Sequence, residues 1–190
     1  MASTGTIQEK LDAKRMVIID GATGTEIGRR GGGLNPNHAW SAQASITLPD
    51  LIRDIHEDYI WAGAEVITAN TFSTSRATLA TVGLSSQTDE INKQSVLLAK
   101  DARRNCQAED TVTIAGSMSS FSPKSRPDII PSYTEALADY KEQSMLLAEA
   151  GVDMLLLEMF VRTVDLAAAV EAVSQTGLPV WVGLSCESYD

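Results

Sequence analysis

The stretch Gly151-Val152-Asp153-Met154-Leu155-Leu156-Leu157-Glu158-Met159 decides how the chain is read. It is apolar without alternation from Met154 to Leu157 and then stops on a carboxylate. A continuous apolar run of this length fits a strand buried on both faces, as in a parallel sheet covered by helices. A charged residue at the C-terminal end of such a strand stands where an α/β barrel places its chemistry. Two other runs end on polar residues in the same way, Met16-Val17-Ile18-Ile19-Asp20 and Glu65-Val66-Ile67-Thr68-Ala69-Asn70-Thr71. Asp20, Thr71 and Glu158 are therefore expected to meet at one mouth.

Outward from these runs, strand and helix alternate. Residues 1–15 read as a lead-in with a short helix from Thr6 to Lys14. A strand from Met16 to Asp20 follows, then the tight turn Gly21-Ala22-Thr23-Gly24-Thr25, whose backbone N–H groups can face a ligand. Its glycine spacing is not the dinucleotide fingerprint. Arg29 to Asn37 reads as a mobile loop. Trp40 to Leu48 leads to a helix near Pro49 with Leu51, Ile52, Ile55, Tyr59 and Ile60 as its buried stripe.

Strands are then expected over Glu65–Thr71, Thr111–Ala115, Val152–Glu158 and Val180–Leu184. The helices between them are expected over Asp89–Cys106, Tyr133–Ala150 and, capped by Thr163, up to Ala172. A loop with Pro123, Pro127 and Pro131 precedes the second of these helices. Five β–α repeats imply parallel strands and right-handed crossovers. A doubly wound sheet and a (β/α)8 barrel both satisfy that order. Polar residues ending three of the strands favour the barrel.

Net charge is −10 at pH 7 with the acidic residues scattered, which opposes a nucleic-acid backbone as partner. No apolar run approaches the ~18 residues that span a bilayer, and the polar N-terminus reads as no signal peptide. Cys106 and Cys186 lie far apart without metal-ligand spacing, so reduced thiols and a cytoplasmic location are expected. His56 lies one position off an apolar stripe and reads as a packed histidine. His38 reads as a loop residue.

Asp20 and Glu158 could hold an ammonium group between them, with Thr71 adding a hydroxyl and the Gly21-Ala22 amides receiving a carboxylate. That describes a pocket for an α-amino acid. The blander readings are an Asx turn for Asp20, a strand-end salt bridge for Glu158, and turn capping for Asn70 and Thr71. Phosphate in the glycine turn is disfavoured, because two acids would share its mouth.

Four motifs in order now resemble the homocysteine S-methyltransferase family. They are Asp20-Gly21-Ala22-Thr23-Gly24-Thr25-Glu26, then Ala62-Gly63-Ala64-Glu65-Val66-Ile67-Thr68-Ala69-Asn70-Thr71-Phe72, then Ala115-Gly116-Ser117, and Leu157-Glu158. The resemblance implies a (β/α)8 TIM-type barrel, of which residues 16–190 would supply about five of the eight βα units. It implies homocysteine as substrate, with Asp20 and Glu158 on the amino group, Gly21 and Ala22 on the carboxylate, and Thr71 lining the pocket; Asn70, beside Thr71, is expected to bind substrate as well.

It also implies zinc, which holds the substrate thiol as a thiolate. The methyl donor would be S-methylmethionine or S-adenosylmethionine and the product methionine. The family's three cysteine ligands, one after the sixth strand and an adjacent pair near the eighth, have no counterpart in this sequence. The 190 residues are expected to bind the amino acid, to contain no catalytic or metal-ligating residue of their own, and to be inactive alone. The alternative is a non-catalytic form that binds an amino acid or self-associates through an open barrel edge.

Overall fold

Four of the apolar runs become parallel strands that neighbour one another in the order in which the chain makes them. The computed structural model describes residues 4–32, 39, 41–120 and 130–186. His38, Trp40, most of the glycine-rich loop and the prolines at 123 and 127 lie outside the described residues. The strands are β1 Val66–Ala69, β2 Thr113–Ser119, β3 Met154–Phe160 and β4 Val180–Leu184, in the sheet order β1-β2-β3-β4. The helices are α1 Thr4–Asp12, α2 Thr23–Arg29, α3 Ala44–Thr47, α4 Pro49–Trp61, α5 Arg76–Ala80, α6 Thr88–Asn105, α7 Tyr133–Ala150 and α8 Thr163–Val173. A doubly wound sheet reverses its strand order at a switch point. This sheet never reverses, so it is an arc of a (β/α) barrel.

The first expected strand, Met16 to Asp20, is reduced to a single bridge between Ile19 and Val66. Its pairing starts normally: Ile18 O accepts from Val66 N and Asp20 N donates to Val66 O. The next rung would be the Thr68 N–H on the Asp20 carbonyl. The Asp20 carboxylate takes that N–H instead, Oδ2 accepting at 2.7 Å. A side chain thus ends the ladder where the backbone would have continued it. Two shorter differences concern α8 and β2. Thr163 is the first helical residue of α8 and does not cap it; Arg162 stands at the N-cap and makes no side-chain cap hydrogen bond. β2 runs on to Ser119, beyond the expected Ala115.

Alternation along the strands sorts the core into two layers. Ile67, Ala69, Ile114, Met118, Leu155 and Leu157 pack outward against Val96 and Ala99 of α6, Tyr140 and Leu147 of α7 and Ala168 and Ala172 of α8. Val66, Ala115 and Met154 face the other way, where Ile7 of α1 covers them. The lead-in is therefore part of the core. An ion pair between Lys10 and Glu65, just before β1, fixes α1 across the N-terminal end of the strands. At the opposite end, β3 carries a bulge: Leu157 pairs with Val182 but Phe160 with Leu184. The extra residue is Met159, whose φ of 56° lies in the left-handed region.

Candidate functional site

The C-terminal ends of the strands surround a cavity of about 330 Å³. Ile19 to Thr25 line one side, Thr68, Ala69 and Asn70 follow from β1 and its end, and Ser117 of β2 with Glu158 and Met159 of β3 complete the arc. Ser41, Phe72 and Ser73 close it from the loops. Strand polarity explains the arrangement: parallel strands deliver all their terminal residues to one rim.

Two carboxylates dominate this rim. Asp20 accepts from the Thr68 N–H at 2.7 Å and from the Thr68 hydroxyl at 2.9 Å. Each of its oxygens keeps a second lone pair for a ligand. Burial pushes its carboxyl up to about 7, and the nearby charge of Glu158 adds to the rise, while the Thr68 bonds oppose it. Glu158 is raised as well, by burial, with the Ser117 hydroxyl pulling the other way. That hydroxyl donates to Glu158 Oε2. Among the described residues no donor meets Oε1. Two acids whose ionisation burial opposes are suited to a cation that restores what burial removed.

The glycine turn lies against these acids. The N-cap of α2 is Ala22, which makes no side-chain cap bond, so among the described residues no capping side chain takes up the first amides after the turn. Gly21 is tied to its identity: a Cβ there would stand 2.7 Å from the Tyr59 hydroxyl. Sequence reading placed Tyr59 on an apolar stripe and did not foresee that its hydroxyl backs the turn.

Asn70 reaches the cavity wall, but its amide is committed to the 41–45 segment. Nδ2 donates to Ser41 O at 2.9 Å and Ser45 Oγ at 3.1 Å, and Oδ1 accepts from Ser41 Oγ at 2.9 Å. Thr71 lies behind the wall. It is fully buried, and its hydroxyl donates to Ser117 O at 2.8 Å. The backbone turns sharply just after β1, with Thr71 N on Ala69 O at 2.6 Å, so strand alternation no longer sets its direction. Thr68 and Ser117, which sequence reading left without a role, are the residues that touch the acids.

His56 is fully buried on α4, and burial lowers its imidazole to about 4. Among the described residues neither ring nitrogen has a hydrogen-bond partner. Cys106 follows α6, at the N-terminal end of the strands away from the cavity, whereas the exposed Cys186 follows β4 at the cavity end. Among the described residues no three His, Cys, Asp or Glu side chains gather as a metal would require, and no helix is long and apolar enough to cross a membrane.

The profile of a protein family described as homocysteine S-methyltransferase matches residues 17–190. Homocysteine S-methyltransferase of Escherichia coli (strain K12) is 29% identical over 185 residues, covering 92% of this chain and 59% of that protein. Selenocysteine methyltransferase of Astragalus bisulcatus is 27% identical over 199 residues, 89% of this chain and 58% of its own. The metallated form of the homocysteine methyltransferase MmuM from Escherichia coli superposes with a TM-score of 0.81 at 28% identity, covering 93% of this chain and 65% of that one. The chain spans less than two thirds of the length of each.

Proposed function

Because the chain belongs to the homocysteine S-methyltransferase family, we propose that its cavity is the amino-acid half of a homocysteine S-methyltransferase site. Asp20 and Glu158 take the substrate ammonium group, and the amides at Gly21 and Ala22 take its carboxylate. The apolar wall of Ile19, Phe72 and Met159 suits the rest of a thioether-forming side chain. The convergence on one cavity of two half-buried acids, one from the segment bridged to β1 and one from β3, carries this reading.

In the complete reaction the homocysteine thiol gives up its proton to solvent, and its sulfur attacks the methyl carbon of a sulfonium donor, S-methylmethionine or S-adenosylmethionine. The donor sulfur leaves with the bonding pair, and methionine forms. Zinc accompanies this chemistry in the family resemblance, but the thiols here do not suit it: Cys106 and Cys186 stand at opposite ends of the sheet. The chain's own residues bind and orient the amino acid, in the cytoplasm.

Calorimetric titration with L-homocysteine tests the proposal on the wild type and on the Asp20→Asn/Glu158→Gln double variant. Binding that the variant lacks is the expected result. Equal binding by both proteins would sink the assignment of the two acids. Binding should also strengthen from pH 6 to pH 8, as Asp20 ionises around pH 7. Self-association is a second reading, favoured by one observation: β4 pairs only with β3 among the described residues, and its Val182 and Leu184 are exposed. Light scattering distinguishes monomer from dimer.

A further inference from the structure

We propose that Thr68 and Ser117 are positioning residues, each holding the acid on the neighbouring segment as a carboxylate aimed at the ligand's ammonium group. The inference rests on the amino-acid-binding reading above and names what prepares that site. In both cases the hydroxyl comes from the segment next door in the sheet. Thr68 of β1 serves Asp20 on the bridged segment, and Ser117 of β2 serves Glu158 of β3.

The geometry is specific at each pair. Thr68 presents its N–H and its hydroxyl to the two oxygens of one carboxylate, so Asp20 is gripped at both ends. Ser117 is fully buried, and its position is fixed from behind. Its carbonyl accepts from the Thr71 hydroxyl at 2.8 Å, and the Thr71 carbonyl accepts in turn from Gln143 Nε2 of α7 at 2.9 Å. A hydrogen bond donated to a carboxylate favours the ionised form. These hydroxyls therefore oppose the burial that pushes both acids toward protonation. A ligand ammonium needs an acceptor that is already charged and already aimed, and a protonated acid offers neither fully.

A hydroxyl that merely filled space would cost stability when removed and leave the ionisation of the acids unchanged. The test therefore reads ionisation directly. Side-chain carboxyl carbons are titrated by NMR in the ligand-free protein, with the two signals assigned from Asp20→Asn and Glu158→Gln. In Ser117→Ala the Glu158 midpoint should move up, and in Thr68→Val the Asp20 midpoint should move up. Thr68→Ser, which keeps the hydroxyl, should leave it in place. Ser117→Cys provides a second, better-filled variant should the alanine protein fail to fold.

Calorimetry at pH 7 should then show L-homocysteine binding about tenfold or more weaker in the hydroxyl-less proteins, the scale of losing one hydrogen bond to a charged group. The deficit should narrow at higher pH as the acids ionise. Midpoints that stay put in folded variants overturn the inference whatever binding does. Midpoints that move while the wild type binds no homocysteine leave the hydroxyl–acid coupling standing and overturn the homocysteine reading instead.

Discussion

Replacing Asp20 by Asn should stabilise the protein at alkaline pH while removing its grip on an ammonium group. Burial raises the Asp20 carboxyl from its ordinary 3.8 to about 7, against the two bonds from Thr68. A folded-state pKa above the unfolded one means that the folded protein holds the extra proton, so stability falls as pH rises through the interval. The loss begins near the unfolded value of about 4 and is complete just above pH 7. At 1.36 kcal/mol per pH unit the whole interval is worth at most about 4 kcal/mol. Asparagine keeps the shape: its oxygen accepts from the Thr68 N–H, and its amide donates to the Thr68 hydroxyl. The expected gain is ~2–4 kcal/mol at pH 8, shrinking below about 1 kcal/mol at pH 4.5. Urea denaturation of both proteins in half-unit steps between these limits measures the difference. An advantage of equal size at both ends, or none at pH 8, refutes the claim that desolvation dominates this carboxylate.

His56 carries the opposite sign. Its imidazole is lowered from 6.5 to about 4, so stability present above pH 6.5 drains away as pH falls toward 4. His56→Leu should gain up to about 3 kcal/mol more at pH 4 than at pH 8, and thermal melts with the same gain at both would count against this. Gly21→Ala should cost ~1–3 kcal/mol by crowding, because its Cβ meets the Tyr59 hydroxyl at 2.7 Å. Tyr59→Phe should recover part of that cost, and strictly additive losses in the double-mutant cycle would refute the contact. Deleting Met159 should change stability by no more than about 1 kcal/mol, whereas deleting Leu155 should cost several. Similar losses in the two deletion variants, measured by denaturation, would show that the bulge is not what separates them.

The alternation of strand and helix was legible because a strand buried on both faces must be apolar throughout, as Leu155 to Leu157 are. The helix Tyr133–Ala150 and the strand Val180–Leu184 have the same bounds in the sequence reading and in the structure. Ends drifted where polar residues face inward, as Ser117 and Ser119 do in β2. The short α2 was not legible: Gly24 and Gly28 weaken it, and of its seven residues only Ile27 is buried. Within the site, the acids stood out because a charge that ends an apolar run is conspicuous. Thr68 and Ser117 did not, since a hydroxyl residue inside a strand looks like any other β-former. Their role appears only once pairing across strands places them beside a carboxylate. Thr71 shows the converse: the sequence reading ends the strand on it, but β1 stops at Ala69 and the following turn sends the Thr71 side chain behind the wall.

Met159 separates two side chains that must face opposite ways. Residues two apart on a regular strand face the same side, so Glu158 and Phe160 could not otherwise serve opposite faces. Glu158 must enter the cavity, while Phe160 packs outward against Tyr140, their rings 5.8 Å apart. The extra residue between them resolves the conflict, at the cost of a left-handed backbone for a side chain that is 61% exposed. Removing Met159 would let Phe160 follow Glu158 directly in regular alternation, with Leu184 still opposite it. Both orientations would survive, and the strained residue would be gone. What would be lost is the Met159 side of the cavity wall. The bulge therefore maintains the shape of the binding site more than the stability of the sheet, the usual relation between an irregular strand end and the function it borders.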